Sequence, residues 1–347
     1  MLGHNLGCPV GTLPDNLLCG DPSQTEKGVF RVPVRKELHM GRNNSMQKPS
    51  IVARLKSDQA VAVGFISPAL VVLSCVIAIP ILRGIWTSFC DCSLRNLMSP
   101  TWAGLKNYIA LFKKGEFFAY FFHTLVFVFF TVSIQLILGM GVALLLNSKI
   151  RGRAVFRGMM LIPWTIPSVV VALVWRWILQ QQYGVINYLL MKVGIIDGMN
   201  LSWTMDATLA MISIVAACVW KQLPYMTVMI LAGLQSVDSS LLEAACIDGG
   251  NPFQRFWHIV LPSIRPVLFT SVWLAITQNF QQFTIINNMT GGGPVDATTT
   301  LSIAAYKAAF QSYNFGESAA IGVIWMVFLF VLTFISNKAN ENHADTL

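Results

Sequence analysis

Residues 238–250 read Asp238-Ser239-Ser240-Leu241-Leu242-Glu243-Ala244-Ala245-Cys246-Ile247-Asp248-Gly249-Gly250, and they lie between two long apolar runs. Ser240 followed by Glu243 has the spacing of a capping box, in which each side chain satisfies a free amide at a helix start. Leu241, Leu242, Ala245 and Cys246 give a short apolar face, and Gly249 or Gly250 takes the left-handed conformation that ends a helix. A second helix restarts at once, with Asn251 as N-cap and Pro252 at the first helical position. Its apolar residues Phe253, Phe256, Trp257 and Val260 fall at i, i+3, i+4 and i+7, and Leu261-Pro262 closes it. Two short amphipathic helices at a sharp angle need cover for their apolar faces. Lipid headgroups can supply it, and so can a groove on a partner. A DNA-reading helix-turn-helix fails, because the segment is tethered on both sides and carries one basic residue, Arg255.

The flanking composition explains the tether. Hydrophobic residues make up 54% of the 347 positions and charged residues 12%, about half the charge a water-soluble domain needs to solvate its surface. The apolar residues therefore face lipid. A bilayer core of roughly 30 Å takes about 20 residues of helix, and six stretches qualify: 61–82, 119–147, 158–179, 208–233, 266–288 and 317–336. The fold expected is an all-α membrane protein of six spans, with the two short helices on a loop between spans 4 and 5. The third span opens with Leu161-Ile162-Pro163-Trp164-Thr165-Ile166-Pro167, whose prolines bend it and free carbonyls that neighbours must satisfy.

The few charges orient the spans. Connections on the side of the 238–250 loop hold fifteen Lys and Arg against seven on the other side, with Arg176 and Lys221 left uncounted within or beside spans. Positive residues stay inside, so both termini are expected in the cytoplasm. The net charge of +8 is then a topology signal and not a nucleic-acid one. Residues 1–59 read as a cytoplasmic tail, of which 1–45 is either disordered or an upstream start-site assignment, since Met46 resembles a natural start. Residues 60–336 form the membrane domain and 337–347 a second cytoplasmic tail. Cys8, Cys19, Cys75, Cys218 and Cys246 are scattered, and Cys90-Asp91-Cys92 alone is a weak metal signal. No metal site is expected.

Glu243-Ala244-Ala245, Asp248-Gly249, Phe256, Ile259 and Leu261-Pro262 together resemble the "EAA" loop of permease subunits of bacterial ABC importers. Trp220-Lys221-Gln222-Leu223-Pro224, Leu231-Ala232-Gly233-Leu234-Gln235, Leu161-Ile162-Pro163-Trp164, Trp175-Arg176-Trp177 and Thr290-Gly291-Gly292-Gly293-Pro294 resemble the carbohydrate branch of that family. The likeness spans roughly residues 60–336, and Gly250 departs from it where the family often has Ala. The resemblance implies an inner-membrane protein without enzymatic activity and without a cofactor of its own. ATP and Mg would be bound by a dimer of partner ATPase subunits. A second homologous permease and an external solute-binding protein would complete the machine. It implies that Glu243, Ala244, Ala245, Asp248 and Gly249 couple the spans to the ATPase. The sequence agrees in one respect, for it contains no G-x-x-x-x-G-K-[ST] loop to cradle phosphates.

Polar residues within spans are costly and face cavities or partner helices. The fifth stretch concentrates them, and at helical spacing Gln278, Gln281, Gln282 and Asn288 share roughly one face, with Asn279 beside them. Neutral amides among Trp273, Phe280 and Phe283 suit a polyhydroxylated ligand. Interhelical hydrogen bonding is the bland alternative for each one. Gln222 and Tyr225, beside Pro224, are further candidates for the substrate path. Arg176 and the glycines Gly291, Gly292 and Gly293 are candidates for a gate or for contact with the external binding protein. For Arg176 the plain reading is an interfacial residue beside belt tryptophans. Trp102, Leu105, Asn107 and Tyr108 belong to an external loop that either meets the binding protein or simply packs. An ion-coupled carrier would need buried ionisable groups and an internal repeat. A membrane-embedded enzyme would need a nucleophile, metal site or acid–base pair. Neither set is present in the sequence.

Overall fold

The computed structural model describes residues 51–148, 151–199 and 201–344. The expectation for residues 1–45 lies outside them. The chain divides into two compact units, Met1–Phe65 and Ile66–Leu347. Of the first, the described part is the opening of helix α1, Ile51–Leu73. The helix therefore begins before residue 60.

In the second unit a π-helical segment, Ser74–Ala78, leads to α2, Ile79–Ser88. Two short antiparallel strands follow, β1 (Cys90–Asp91) and β2 (Thr101–Trp102), with Cys90 opposite Trp102. Next come α3 (Lys106–Lys114), α4 (Glu116–Asn147), α5 (Arg153–Thr165), α6 (Ser168–Ile178) and α7 (Val185–Lys192). After α8 (Ala207–Gln235) lie α9 (Ser239–Ile247) and α10 (Pro252–Arg255). A second π-helical segment, Phe256–Val260, joins α10 to α11, Leu261–Phe280. The chain closes with α12 (Thr284–Met289), α13 (Leu301–Tyr306), a third π-helical segment (Lys307–Gln311) and α14, Phe315–Ala344.

Among the described residues, five helical stretches are long and apolar enough to cross a membrane, and a sixth forms if α5 and α6 count as one span. That pair is bent by 95°. The cause is local. Proline disfavours helical backbone in the residue before it, and Ile166, preceding Pro167, is extended at φ −70° and ψ 132°. The carbonyls freed there are met by Lys221 of α8, whose Nζ donates to Ile166 O at 2.6 Å and approaches Trp164 O at 3.5 Å.

Helix α8 is the centre of the bundle and packs against α4, α5 and α11. The buried set includes Phe127 and Val132 of α4, Ile214, Ala217, Cys218 and Met226 of α8, and Ile264 of α11. Between spans in lipid there is no hydrophobic gain to hold helices together, so close packing and interhelical hydrogen bonds do that work. A smaller cluster of Leu111, Phe117, Leu301, Ala304, Ala320 and Ile321 ties α3, α4, α13 and the start of α14 together.

The loop between α2 and α4 is packed on one side and open on the other. Asn107 is buried and donates to Ser88 O and Cys90 O, each at 2.9 Å, while the Tyr108 hydroxyl lies 2.7 Å from Ser88 Oγ. Trp102, stacked on Phe89 with centroids 5.6 Å apart, and Leu105 remain exposed. Cys90 and Cys92 are free and buried, and no group of metal-holding side chains occurs among the described residues.

Candidate functional site

The loop after α8 folds as an elbow. Its first helix starts two residues earlier than the Ser240–Glu243 spacing suggests. Asp238 is the N-cap, accepting from Ser240 N at 2.9 Å, because a carboxylate at that place satisfies the free amide before Ser240 can. This bond holds the Asp238 carboxyl below the usual carboxylate range. The far end of α9 is a Schellman closure: Gly250 N donates to Ala245 O at 2.9 Å and Gly249 N to Cys246 O at 3.2 Å. Gly249, not Gly250, carries the left-handed backbone, at φ +81°. Asn251 and Gln254 then form a reciprocal capping box, with bonds of 2.7 and 3.0 Å.

The second short helix differs from expectation. It does not stop at Leu261-Pro262 but continues as one helical stretch, Pro252–Phe280. Pro262 has no amide to donate one turn back. The chain meets this with the π-helical register just before it, in which Leu261 N bonds Phe256 O. One short helix and the head of a long one therefore make the elbow. Glu243, Ala244, Asp248 and Gly249 are exposed on it and Ala245 is half-buried. Ile247 is 87% exposed and Phe253 70%. In the crook, Ala245, Asp248, Gly250, Gln254, Arg255 and His258 line a shallow cavity of about 260 Å³, where Arg255 Nε is buried without a hydrogen-bond partner.

The expected polar face of the fifth stretch is not one face. Helix α11 ends at Phe280, and Gln281–Phe283 form a break before α12. The flanking aromatics bury in different places, Phe280 against Phe328 (5.5 Å) and Phe283 against Tyr306 (5.0 Å). Ser302 Oγ bonds Gln282 O at the break, 2.9 Å away. Gln278 and Gln281 are exposed, Gln282 and Asn288 half-buried, and Asn288 bonds back to Thr284 O at 2.8 Å.

Asn279 and Gln222 belong to a cross-helix cluster. Gln222 Oε1 accepts from Asn279 Nδ2 at 3.0 Å and from Gln135 Nε2 at 3.2 Å. Asn279 is 1% exposed, and its Oδ1 has no partner. Gln135 of α4 was not singled out from the sequence. A signal existed, since it is the only glutamine in the 32 residues of α4. Tyr225 lies near Trp164, ring centroids 6.3 Å apart.

Arg176 is exposed on the last turn of α6, beside exposed Trp177. The glycine run Gly291-Gly292-Gly293 sits in a folded loop after α12, a helix that packs on α6. A Cβ on Gly292, at φ +93°, would collide with Thr299 and Lys307. Lys307 Nζ bonds Asp296 Oδ1 at 2.6 Å and Thr299 Oγ1 at 3.1 Å, and this holds the Asp296 carboxyl below its ordinary value of 3.8. Val295 at the loop tip is fully exposed.

A bundle of membrane-length helices broken by proline and by an amide-rich turn, with an exposed elbow between two spans, defines a multi-pass transport-type membrane subunit. Residues 135–344 match the family described as binding-protein-dependent transport system inner membrane component. The trehalose/maltose transport system permease protein MalF of Thermococcus litoralis is 34% identical over 301 residues, covering 85% of this chain and 99% of that protein. The sulfoquinovosyl glycerol transport system permease protein SmoG of Agrobacterium fabrum is 32% identical, over 80% and 89% of the two chains. The sn-glycerol-3-phosphate transport system permease protein UgpA of Yersinia pestis is 36% identical, over 70% and 82%. In structure, the chain superposes on a bacterial ABC transporter involved in the import of the acidic polysaccharide alginate. The TM-score is 0.69 at 18% identity, with 83% of this chain and 99% of that one covered. The chain belongs to the family of binding-protein-dependent transport system inner membrane components, and is a multi-pass inner-membrane protein.

Proposed function

We propose that this chain is the permease subunit of an ATP-driven ABC importer that moves a sugar or sugar derivative inward by alternating access. Residues 60–336 form the permease domain, flanked by cytoplasmic tails at 1–59 and 337–347. It works with a second homologous permease, a dimer of ATPase subunits that bind ATP and Mg, and an external solute-binding protein. The chain itself does no covalent chemistry. The observation that carries the reading is the elbow at 239–260, where Ile247 and Phe253 stand exposed on either side of the Gly249 turn. Such a face, built on rigid helices and lacking cover within the chain, suits a cleft on a soluble motor. Glu243, Ala244, Ala245, Asp248 and Gly249 make the contact. Ala244 and Ala245 permit close approach, Gly249 sets the angle, and the two acids stand at the middle and the C-terminal end of α9.

The related permeases named for trehalose and maltose, sulfoquinovosyl glycerol and glycerol phosphate support a sugar or polyol cargo. The break at Gln281–Phe283, with Gln278, Gln281, Gln282 and Asn288 around it, supplies donors and acceptors for hydroxyls beside the rings of Phe283 and Tyr306. Gln222, Asn279 and Tyr225 line the same path at greater depth, where a hydroxyl can satisfy the unpartnered Asn279 Oδ1. Arg176 and the Gly291–Gly293 loop face the external binding protein. In the assembled complex, Glu243→Lys and Gly249→Trp are expected to abolish ATP-dependent sugar uptake and reduce copurification of the ATPase. Uptake and assembly at wild-type levels in both variants would remove the coupling assignment.

A further inference from the structure

At the membrane end opposite the elbow loop, α3, the first turns of α4 and α14, and α13 with its π-helical extension enclose a cavity of about 350 Å³. Its floor is apolar, formed by Leu111, Phe117, Ala304, Ala308 and Ile321, and its rim is charged. Both rim lysines are already matched, Lys114 to Glu317 at 3.0 Å and Lys307 to Asp296 at 2.6 Å. Glu116 remains, exposed at the first position of α4 and in none of the ion pairs of the described residues. The charged lining balances, Lys114 and Lys307 against Glu116 and Glu317, and with Lys307 drawn to Asp296 the Glu116 carboxylate is the one left unpaired.

One wall is built from irregular backbone. Lys307–Gln311 is π-helical, and Tyr313, just past it, has φ +55°. Helix α13 forms this wall and also reaches the polar break from its other side. Ser302 bonds the Gln282 carbonyl, and the Tyr306 ring lies 5.0 Å from Phe283. Anything seated in the cavity thus presses on the same helix that supports the break.

We infer that this cavity is a socket for a basic side chain, arginine in the best case, presented by the external solute-binding protein. The inference rests on the importer reading. An arginine lays its aliphatic stem along an apolar floor while its guanidinium reaches a carboxylate on the rim, which is the combination found here. The unpaired Glu116 carboxylate favours such a side chain over an acidic one, and α13 gives docking a route to the break at Gln282.

The test uses the whole importer complex in lipid nanodiscs with its purified solute-binding protein. It reads ATPase activity against binding-protein concentration. Glu116→Lys is expected to raise the concentration for half-maximal stimulation at least tenfold and Glu116→Gln about threefold, with unchanged basal ATPase. Ala308→Trp, which fills the floor, should act like Glu116→Lys. A Glu116→Cys variant should cross-link to the binding protein at or beside a basic residue, and reversing that residue's charge should restore docking to Glu116→Lys. Wild-type docking in both Glu116→Lys and Ala308→Trp would overturn the socket. So would a loss of basal ATPase equal to the loss of stimulation. If the wild-type complex itself ignores its binding protein, the importer reading falls instead.

Discussion

Gly249 offers the sharpest test of how the elbow is built. Its φ of +81° lies where an L-residue places Cβ against its own carbonyl, at roughly 1–2 kcal/mol. A Cβ added at Gly249 meets nothing within 4 Å, so this backbone cost is the whole of the expected penalty. Asn tolerates the left-handed region better than Ala, and a β-branched residue tolerates it worst. The penalty should therefore rank Asn below Ala below Val. Because the Gly249 and Gly250 amides close α9, the cost appears as easier opening of that closure. A loss of about 1–2 kcal/mol corresponds to exchange faster by roughly 5- to 30-fold. Hydrogen exchange on peptides covering 239–255, with the complex in nanodiscs, measures it directly, and ATP-driven uptake should fall in the same order. Asn as damaging as Val, or all three equal to wild type, would refute the reasoning. Gly250 is the control. It lacks the positive φ, but its added Cβ would stand 2.8 Å from Ala245 O, so Ala there should be costly through a clash with backbone.

The amide cluster, the loop at 292–299 and the bent span make further predictions. Gln222→Leu strips the acceptor from Asn279 and Gln135, each orphaned donor costing about 1–3 kcal/mol. The melting temperature in detergent should drop, and Gln222→Glu, which keeps an acceptor, should drop less. Asp296 is held low chiefly by its bond to Lys307. The loop at 292–299 should hence be fully protected above the ordinary aspartate value of 3.8 and loosen as pH falls through the depressed one. Lys307→Met should weaken that acid dependence of hydrogen exchange, leaving the part set by the bonds from Thr299 and Tyr120. Pro167→Ala lifts the restriction on Ile166. Spin labels at exposed positions 155 and 177 should move from about 22 Å, set by the 95° bend, towards the about 33 Å of a straight helix. No lengthening would assign the bend to Lys221 rather than to proline.

Much of this was legible in the sequence, and the parts that were not share a physical cause. Apolar runs and their flanking charges mark the spans, since lipid demands about 20 apolar residues regardless of tertiary context. Gly249 and the Asn251 cap were readable because capping is local chemistry. The break at Gln281 was not, because it depends on where Phe280 and Phe283 find partners on α14 and α13, and helical period alone carries Asn288 onto the same face. Likewise Pro262 reads as a stop, yet a π-helical turn absorbs its missing amide. Lys221 looked like a stray charge in a span until α5 bent to bring its open carbonyls within 2.6 Å. Gln135 carried a signal of its own, the lone glutamine in an apolar helix, but its partner Gln222 on α8 lies 87 residues away.

The unbroken passage from Pro252 to Phe280 makes the fifth span a beam rather than a chain of hinged pieces. At 1.5 Å per residue, its 29 residues run about 43 Å. Phe253 stands at one end and Asn279, with the polar break just beyond it, at the other. A rod of that length converts a tilt of about 5° at the elbow into about 4 Å at the far tip. Under the importer reading proposed above, the π-helical register that spares the helix from Pro262 would let a small push on the elbow arrive as a side-chain-sized movement at the polar break.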